Sequence, residues 1–453
     1  MTETKQCQNC RNSFVIEPED NAFLERFDIP PSAQCPQCVW QHLLAFWIFG
    51  KFRKTQSDLS GKRIITTLPE SAQFPIYAYE EWISDAWDAL SYGLEYDYNR
   101  SFFDQLIELQ KKVPHPHRSG TNNVRCEWCD DASDCKDCYL CRSLLECEYL
   151  TYGYRTMRCR NSIDLVFSFD MENSYDCTYC FKCYQVRHSF NARNCMDCMF
   201  LYDCRNCQNC FMCWNLRNKQ YCILNQQYSK EDYFEKLKNF NSGSYKSLNN
   251  LKNEFWKNVA SEAIHRADLN INAVSSSGNF LEECRGCHSC FFLQKSEKGR
   301  YILRGYEDKD VIYATGSIAE KAAWTTMDWS SYETAFTSHC VNCRYSWYLD
   351  YCENCEYCFG CVGLKNKQYY ILNKQYGKGE YETLVAKIKE KMKQNGEWGK
   401  FFPLRMAYSG YNLSLANIYF PETEANVKQL GGKWDNVAEV HYEGVSGDDL
   451  PDT

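Results

Sequence analysis

Four cysteines near the start of the chain carry its most direct chemistry: Cys7-x2-Cys10, then after 24 intervening residues Cys35-Pro36-Gln37-Cys38. Two such pairs can bring four thiolates to one Zn²⁺ at Zn–S distances of ~2.3 Å. A four-thiolate shell leaves no open position for water, so the expected role of Cys7, Cys10, Cys35 and Cys38 is to fold a zinc ribbon, not to catalyse. Phe14, Ile16, Phe23 and Phe27 are expected to pack beneath the metal.

The other cysteines follow a different rule. The chain has 30 in all, and every one from Cys126 to Cys222 falls at a position divisible by three. The remaining in-phase positions, among them Ala132, Leu144, Leu150, Gly153, Thr156, Ser162, Leu165, Ser174, Val186, Ser189, Ala192 and Leu201, are small or apolar up to Lys219. Arg, Asp, Glu and Lys crowd the other two phases. That is the pattern of a buried column between solvated ones. A period of three fits neither an α-helix nor a flat strand, but it suits a chain that bends every few residues around a narrow axis.

Asn194-Cys195, Asn206-Cys207 and Asn218-Lys219 recur every twelve residues. Four inward side chains per twelve-residue coil predict a slender β-solenoid with strands stacked at ~4.8 Å. Cysteine is the right size for such an interior, where Leu at every position would overfill and Gly would leave voids. Consecutive Cys-x2-Cys units such as Cys204, Cys207, Cys210 and Cys213 are otherwise a metal signature. Because Ala, Ser, Val and Leu replace cysteine in phase, a thiol core is the expected reading, with metal at a few corners as the alternative and disulfides only after oxidation.

The spacing returns from Cys340 to Lys367. Shifting the first block by 148 residues places Asn218-Lys219-Gln220-Tyr221 and Ile223-Leu224-Asn225 on Asn366-Lys367-Gln368-Tyr369 and Ile371-Leu372-Asn373, which marks a duplication. Cys284, Cys287, Cys290, Leu293, Ser296, Gly299 and Ile302 read as a shorter third piece. Lys219 and Lys367 are read as the residues at which the chain leaves the stack. Each full copy runs into a helix: Ser229 and Asp232 begin one that carries Tyr233, Phe234, Leu237 and Phe240, and Tyr381, Leu384, Val385, Ile388 and Met392 form another that stops at Gly396. Leu248, Leu251, Phe255 and Val259 mark a further helix. All are expected to cover solenoid ends.

The fold class expected is therefore mainly β with helical caps, an N-terminal zinc ribbon followed by narrow β-solenoid blocks. The expected segments are a ribbon and following stretch (1–60), an aromatic-rich and helical connector (61–120) with a helix over 99–112, a first cysteine-rich block (121–228), a helical insertion (229–283), a duplicated block (284–376) and a C-terminal helix and tail (377–453).

The N-terminal pattern, Cys7, Cys10, Phe14, Pro18-Glu19-Asp20, Pro30-Pro31 and Cys35-Pro36-Gln37-Cys38, resembles a bacterial family of zinc-ribbon domains. The similarity extends to Lys365–Asn373 and to Gly396-Glu397-Trp398-Gly399-Lys400-Phe401-Phe402-Pro403. These segments resemble those of uncharacterised cysteine-rich bacterial proteins abundant in small-genome lineages. The resemblance implies zinc binding and no activity. One departure is Val39-Trp40-Gln41-His42-Leu43-Leu44, where relatives carry several arginines after the last ribbon cysteine.

At 453 residues the chain is long enough for several domains, and its net charge of −8 argues against a general nucleic-acid coat. The polar start and the absence of a long apolar run predict a cytoplasmic protein without a membrane span, in which thiols stay reduced. His115-Pro116-His117 is read as a solvated linker, and Trp82, Trp87, Tyr92, Tyr96 and Tyr98 as interdomain packing. No phosphate loop, dinucleotide fingerprint or His-Glu-x2-His occurs, so catalysis is not expected; His288 and His339, beside Cys287 and Cys340, are the nearest approach to a nucleophile pair. The favoured function is a non-enzymatic zinc protein whose rigid solenoid binds a protein partner or assembly. The alternatives are an RNA or other nucleic-acid binder using the ribbon, Lys51-Phe52-Arg53-Lys54 and the aromatics Tyr179, Phe181 and Tyr184, and a cysteine-rich metal buffer.

Overall fold

The computed structural model describes residues 2–145, 154–157, 168–306, 311–315, 318–320, 323–326, 329–437 and 451–452. The chain is mostly sheet with a few helices. It divides into two compact units, one of Arg118–Arg266 with Ala438–Thr453, the other of Met1–His117 with Ala267–Val437.

In the Arg118–Arg266 unit the strands pair in parallel and in chain order, with partners twelve residues apart: Tyr184 with Met196, Met196 with Gln208, Gln208 with Gln220. The cause is a backbone conformation that repeats every three residues. An inward residue is followed by an outward one and then by a residue with positive φ, as at Asn194 (51°), Asp197 (54°), Phe200 (60°), Asp203 (46°) and Asn206 (53°). Left-handed backbone is disfavoured for most residues and least costly for Asn and Asp, which is why those types so often precede an inward cysteine. Each such residue bends the strand. The inward column, Cys126, Cys129, Ala132, Cys135, Cys138 and Cys141, then Cys177 to Cys213 and Cys222, is buried as a single cluster. The expected in-phase positions from Cys147 to Gly153 and from Cys159 to Leu165 lie outside the described residues.

The bends set a hydrogen-bonding problem that the inward side chains solve. Of each three amides, two reach backbone carbonyls of neighbouring strands, as Met196 N–H does to Cys207 (3.0 Å) and Asn206 N–H to Arg193 (2.9 Å). The inward residue's own N–H points at the side chain twelve positions earlier. Cys210 N–H donates to Cys198 Sγ and Cys138 N–H to Cys126 Sγ, both at 3.4 Å. Serine does the same with oxygen: Leu201 N–H donates to Ser189 Oγ (3.0 Å) and Val186 N–H to Ser174 Oγ (3.2 Å). The thiols in turn donate to carbonyls two residues back and nine ahead, as Cys177 does to Tyr175 and Val186 at 3.4 and 3.3 Å. A buried amide without an acceptor costs about 1–3 kcal/mol, so inward positions favour a small side chain with a lone pair.

The stack ends later than the lysines suggest. Lys219 still accepts Gln208 N–H (3.0 Å), and the chain turns back only at Leu224-Asn225, both at positive φ (49° and 61°), into an antiparallel pair with Gln226–Gln227. The Asn225 amide bonds both Trp214 N–H and C=O at 3.0 Å, replacing a further strand. Ser229 caps the Lys230–Leu237 helix, whose Tyr233 packs on Tyr221 at 5.8 Å. The Tyr245–Glu262 helix does not cap an end. It covers an outward apolar patch, with Phe255 against Phe200 at 5.6 Å and Lys252 bonded to Asp176 at 2.6 Å, because Phe200, Phe211 and Met212 are too apolar to face water.

The Met1–His117 and Ala267–Val437 unit repeats the device. Parallel bridges begin at Ile271 and run through Arg300, Ile312, Ala323 and Ala335, so the stretch around Cys284–Ile302 is continuous with the Cys340–Cys361 ladder and is not a separate piece. Cys352 N–H donates to Cys340 Sγ (3.4 Å) and Cys358 N–H to Ser346 Oγ (3.0 Å). Asn373 bonds both Val362 N–H (2.9 Å) and C=O (2.8 Å), as Asn225 does in the other unit. The Lys378–Gln394 helix follows and ends before Gly396, at φ 65°.

In the same unit, β1 (Glu3–Gln6) and β2 (Ser13–Ile16) form a hairpin, followed by α1 (Pro18–Glu25) and α2 (Pro36–Leu44). The helix expected from residue 99 begins at Phe102 because Asp97 ties Asn99 N–H into a turn and Ser101 caps Asp104 N–H. The His115-Pro116-His117 linker is not solvated. Its strand pairs with Ile76–Tyr77, His115 contacts Val113 O (3.0 Å) and Asp350 (3.5 Å), and His117 Nδ1 accepts Tyr79 N–H (2.8 Å).

Replacing Cys198 separates size from hydrogen bonding. Cys198→Ser keeps an acceptor for Cys210 N–H and should change stability by less than about 1 kcal/mol, whereas Cys198→Ala should cost about 1–3 kcal/mol. Urea denaturation of the two variants measures this; equal losses would refute the acceptor role.

Candidate metal centre

The first cysteine pair lies in the turn between β1 and β2. Cys7 N–H donates to Asn12 O (2.9 Å) and Arg11 N–H to Cys7 O (3.1 Å), with Arg11 at φ 65°, so the turn curls around the Cys7 and Cys10 side chains. The second pair starts a helix. Cys35 is the residue before α2, Pro36 occupies its first position, and Cys38 sits in its first turn. Proline suits that position because its missing N–H is not needed there, and the positive end of the helix favours thiolate.

All four Sγ atoms lie within 4.8 Å of one another. Cys10 Sγ and Cys35 Sγ are 3.7 Å apart, close to the roughly 3.8 Å edge of a tetrahedron with 2.3 Å metal–sulfur bonds. Cys35 N–H donates to Cys7 Sγ at 3.2 Å. Cys7, Cys35 and Cys38 are buried, Cys10 is exposed, and Phe14 packs against the cluster. Phe23 and Phe27, expected beneath the site, pack on each other at 5.3 Å.

The electrostatics of this group favour a cation. Burial raises the Cys7 thiol, but hydrogen bonds from the Cys35, Cys10 and Asn9 backbone outweigh it and bring Cys7 down to about 6. Cys35 is pushed up by burial, and Cys38 more strongly by burial and the adjacent Cys35 charge. Cys7 therefore ionises readily while Cys35 and Cys38 resist, chiefly through burial and, for Cys38, next through repulsion by the Cys35 charge. A metal ion relieves that repulsion, and the four cysteines can hold one.

The repeat cysteines are differently placed. Among the described residues, Cys7, Cys10, Cys35 and Cys38 form the group of three or more Cys, His, Asp or Glu ligands close enough to share an ion. Inward thiols such as Cys195, Cys204 and Cys352 are engaged with carbonyls. His339 and Cys340 are adjacent in sequence, but Cys340 donates inward to Ser338 O while His339 stacks outward on Tyr351 at 4.6 Å. His288 likewise faces Ser277 (3.4 Å), away from Cys287, which bonds Ser296 O (3.5 Å). In the Lys51–Lys54 stretch, Arg53 is committed to Leu68 O (2.6 Å) and Pro69 O (3.1 Å). Tyr179 and Phe181 are buried and only Tyr184 of that trio is exposed. Sequence reasoning missed the buried group around Asp350, which accepts from Gln110 Nε2 (2.9 Å) and Tyr408 Oη, with Ser338 Oγ 2.7 Å from Tyr408 Oη. Its members are scattered along the chain from Gln110 to Tyr408, with no local spacing to reveal them.

No protein-family model matches the chain, and no curated protein matches it. Among solved structures, a chain from Desulfovibrio desulfuricans G20 described as a "putative acetyltransferase" is 8% identical, with 61% of this chain and 79% of that chain covered and a TM-score of 0.10. A likeness that slight carries no argument about fold or activity. The chain stands as a cysteine-rich protein with a four-cysteine group able to hold a metal. Among the described residues no helix is long and apolar enough to cross a membrane.

Protons compete with metal for thiolates, so metal retention should fall as pH is lowered. Cys38→Ser should lose the ion at neutral pH. Elemental analysis after gel filtration reads both effects, and full retention by Cys38→Ser would show that Cys38 is not a ligand.

Proposed function

We propose that the protein is a non-enzymatic scaffold in which a structural Zn²⁺ on Cys7, Cys10, Cys35 and Cys38 fixes an N-terminal zinc ribbon and two β-solenoid blocks of twelve-residue coils present rigid outer faces to a protein partner. The observation that carries this reading is the commitment of the reactive groups. The four-thiol group has no room for substrate in a closed tetrahedral shell, and the inward thiols spend their hydrogen-bonding capacity on the backbone.

The outer faces suit display. Residues twelve apart stack into ladders, such as Tyr345, Tyr357 and Tyr369 at 5.1 and 5.3 Å, and Asn342, Asn354 and Asn366 joined by amide bonds of 2.8 and 3.1 Å. Repetition at a fixed rise gives a regular, stiff surface. The six segments read from the sequence are proposed as its domains. A reducing, cytoplasmic setting fits cysteines that, among the described residues, form no disulfide.

Zinc analysis with thiol counting tests the proposal. Near one zinc per chain, with most thiols silent to an aqueous thiol reagent until the protein is denatured, is the expected result. Many metal equivalents per chain would favour a metal buffer instead.

A further inference from the structure

Among the described residues every cysteine is buried except Cys10. Residues 10–12, in the turn between β1 and β2, are exposed together. The repeat thiols instead face carbonyls inside their stacks, as Cys195 does Cys204 O (3.7 Å) and Cys352 does Cys361 O (3.4 Å). Thiol oxidation follows exposure and thiolate character, so an oxidant arriving from water meets Cys10 first.

Cys10 also has a second sulfur within reach. Its Sγ is 3.7 Å from that of Cys35, against the ~2.05 Å of a disulfide. The two sides of that gap differ. Cys35 is buried and anchored: its N–H donates to Cys7 Sγ (3.2 Å), and its carbonyl accepts Val39 N–H (3.0 Å) at the start of α2. The closing movement therefore falls to the exposed Cys10 side of the turn. An accessible cysteine beside a resolving one is the arrangement of a thiol that oxidises reversibly.

We infer that Cys10 and Cys35 form a site of reversible oxidation, at which a peroxide makes a Cys10–Cys35 disulfide and the four-sulfur group loses its metal; the loss of metal rests on the reading of that group as a metal centre. In the first step the Cys10 thiolate attacks one peroxide oxygen, the O–O bond breaks, and hydroxide leaves, with Cys10 now a sulfenic acid. In the second the Cys35 thiolate attacks the Cys10 sulfur, the S–S bond forms, and the sulfenic oxygen leaves as a second hydroxide. The two sulfurs together lose two electrons, and the peroxide gains them. Cys7 and Cys38 are then the remaining thiolates of the four, too few for a closed tetrahedral shell. A dithiol reverses the bridge by exchange, taking the disulfide onto itself and returning two thiols.

The test treats the full, reduced chain with hydrogen peroxide, reading zinc with a metal-binding dye and disulfides by mass mapping of unreduced digests. Zinc measured before peroxide separates the two readings: a chain purified without it would contradict the metal centre, while the bridge is still mapped. The expected result is a single Cys10–Cys35 bridge, zinc leaving in step with it, unmodified repeat cysteines, and recovery on adding dithiothreitol and fresh zinc. Cys35→Ser removes the resolving sulfur, so sulfenic acid should accumulate on Cys10 and be trapped by dimedone; trapping no greater than in the parent would contradict the role of Cys35. Cys198→Ser, inside a stack, should leave zinc release unchanged. Should Cys35→Ser fail to fold, the map of the parent decides alone. Bridging of Cys10 to Cys7 or Cys38, earlier oxidation of the repeat cysteines, or zinc retained with Cys10 still reduced in excess peroxide would overturn the inference.

Discussion

The bond from an inward amide to the cysteine or serine side chain stacked beneath it is the constraint on which the repeated architecture rests. A strand that bends every third residue cannot offer a backbone carbonyl to all its amides, and the orphan N–H lies in the interior where water is excluded. The side chain below must therefore be small, must accept a hydrogen bond and must leave no void. Cysteine meets all three needs, and Ser174, Ser189 and Ser346 meet them at the same kind of position with oxygen. Where Ala, Val or Leu takes an inward place, size is kept and the acceptor is given up. The abundance of cysteine is then a packing and hydrogen-bonding fact before it is a redox or metal fact.

The same residue type does opposite work at the N-terminus. There the four sulfurs converge on one point, with a bent turn on one side and a helix start on the other, in a group that could hold a cation. In the repeats the sulfurs are spread along an axis and each is turned toward a carbonyl. Spacing of Cys-x2-Cys is common to both; local backbone decides between them. A left-handed residue before most of the repeat cysteines directs successive thiols along the stack, while Pro36 and the helix it opens turn Cys35 and Cys38 toward Cys7 and Cys10.

Much of this is legible in the sequence because the signals are periodic. The three-residue phase marks the buried column, the twelve-residue recurrence of Asn194, Asn206 and Asn218 sets the pairing offset, and two Cys-x2-Cys pairs mark the four-thiol group. Asn and Asp before the cysteines also announce the left-handed bends, although their meaning emerges only with the φ values. What is not legible depends on contacts distant in the chain. His115 reads as solvated because Pro116 breaks helices, but it is buried by strand pairing with Ile76 and by Asp350, 235 residues away. The lysines at 219 and 367 interrupt the inward column of small side chains, whereas the actual ends are set by Asn225 and Asn373, whose amides stand in for a missing strand. The Tyr245–Glu262 helix is visible as a helix, but its place along a flank follows from outward Phe200 and Phe211, which a single period of three does not distinguish.

Raman spectroscopy of the S–H stretch tests the central claim most directly, because it reports on protonated sulfur and its hydrogen bonds. Protonated, buried thiols donating to carbonyls should give a strong band displaced to lower frequency than a solvated thiol and slow to shift on transfer to D₂O. A weak or missing band, or one at the solvated position that exchanges at once, would mean that the repeat sulfurs are metal-bound, oxidised or open to water, and the account of the interior would be wrong.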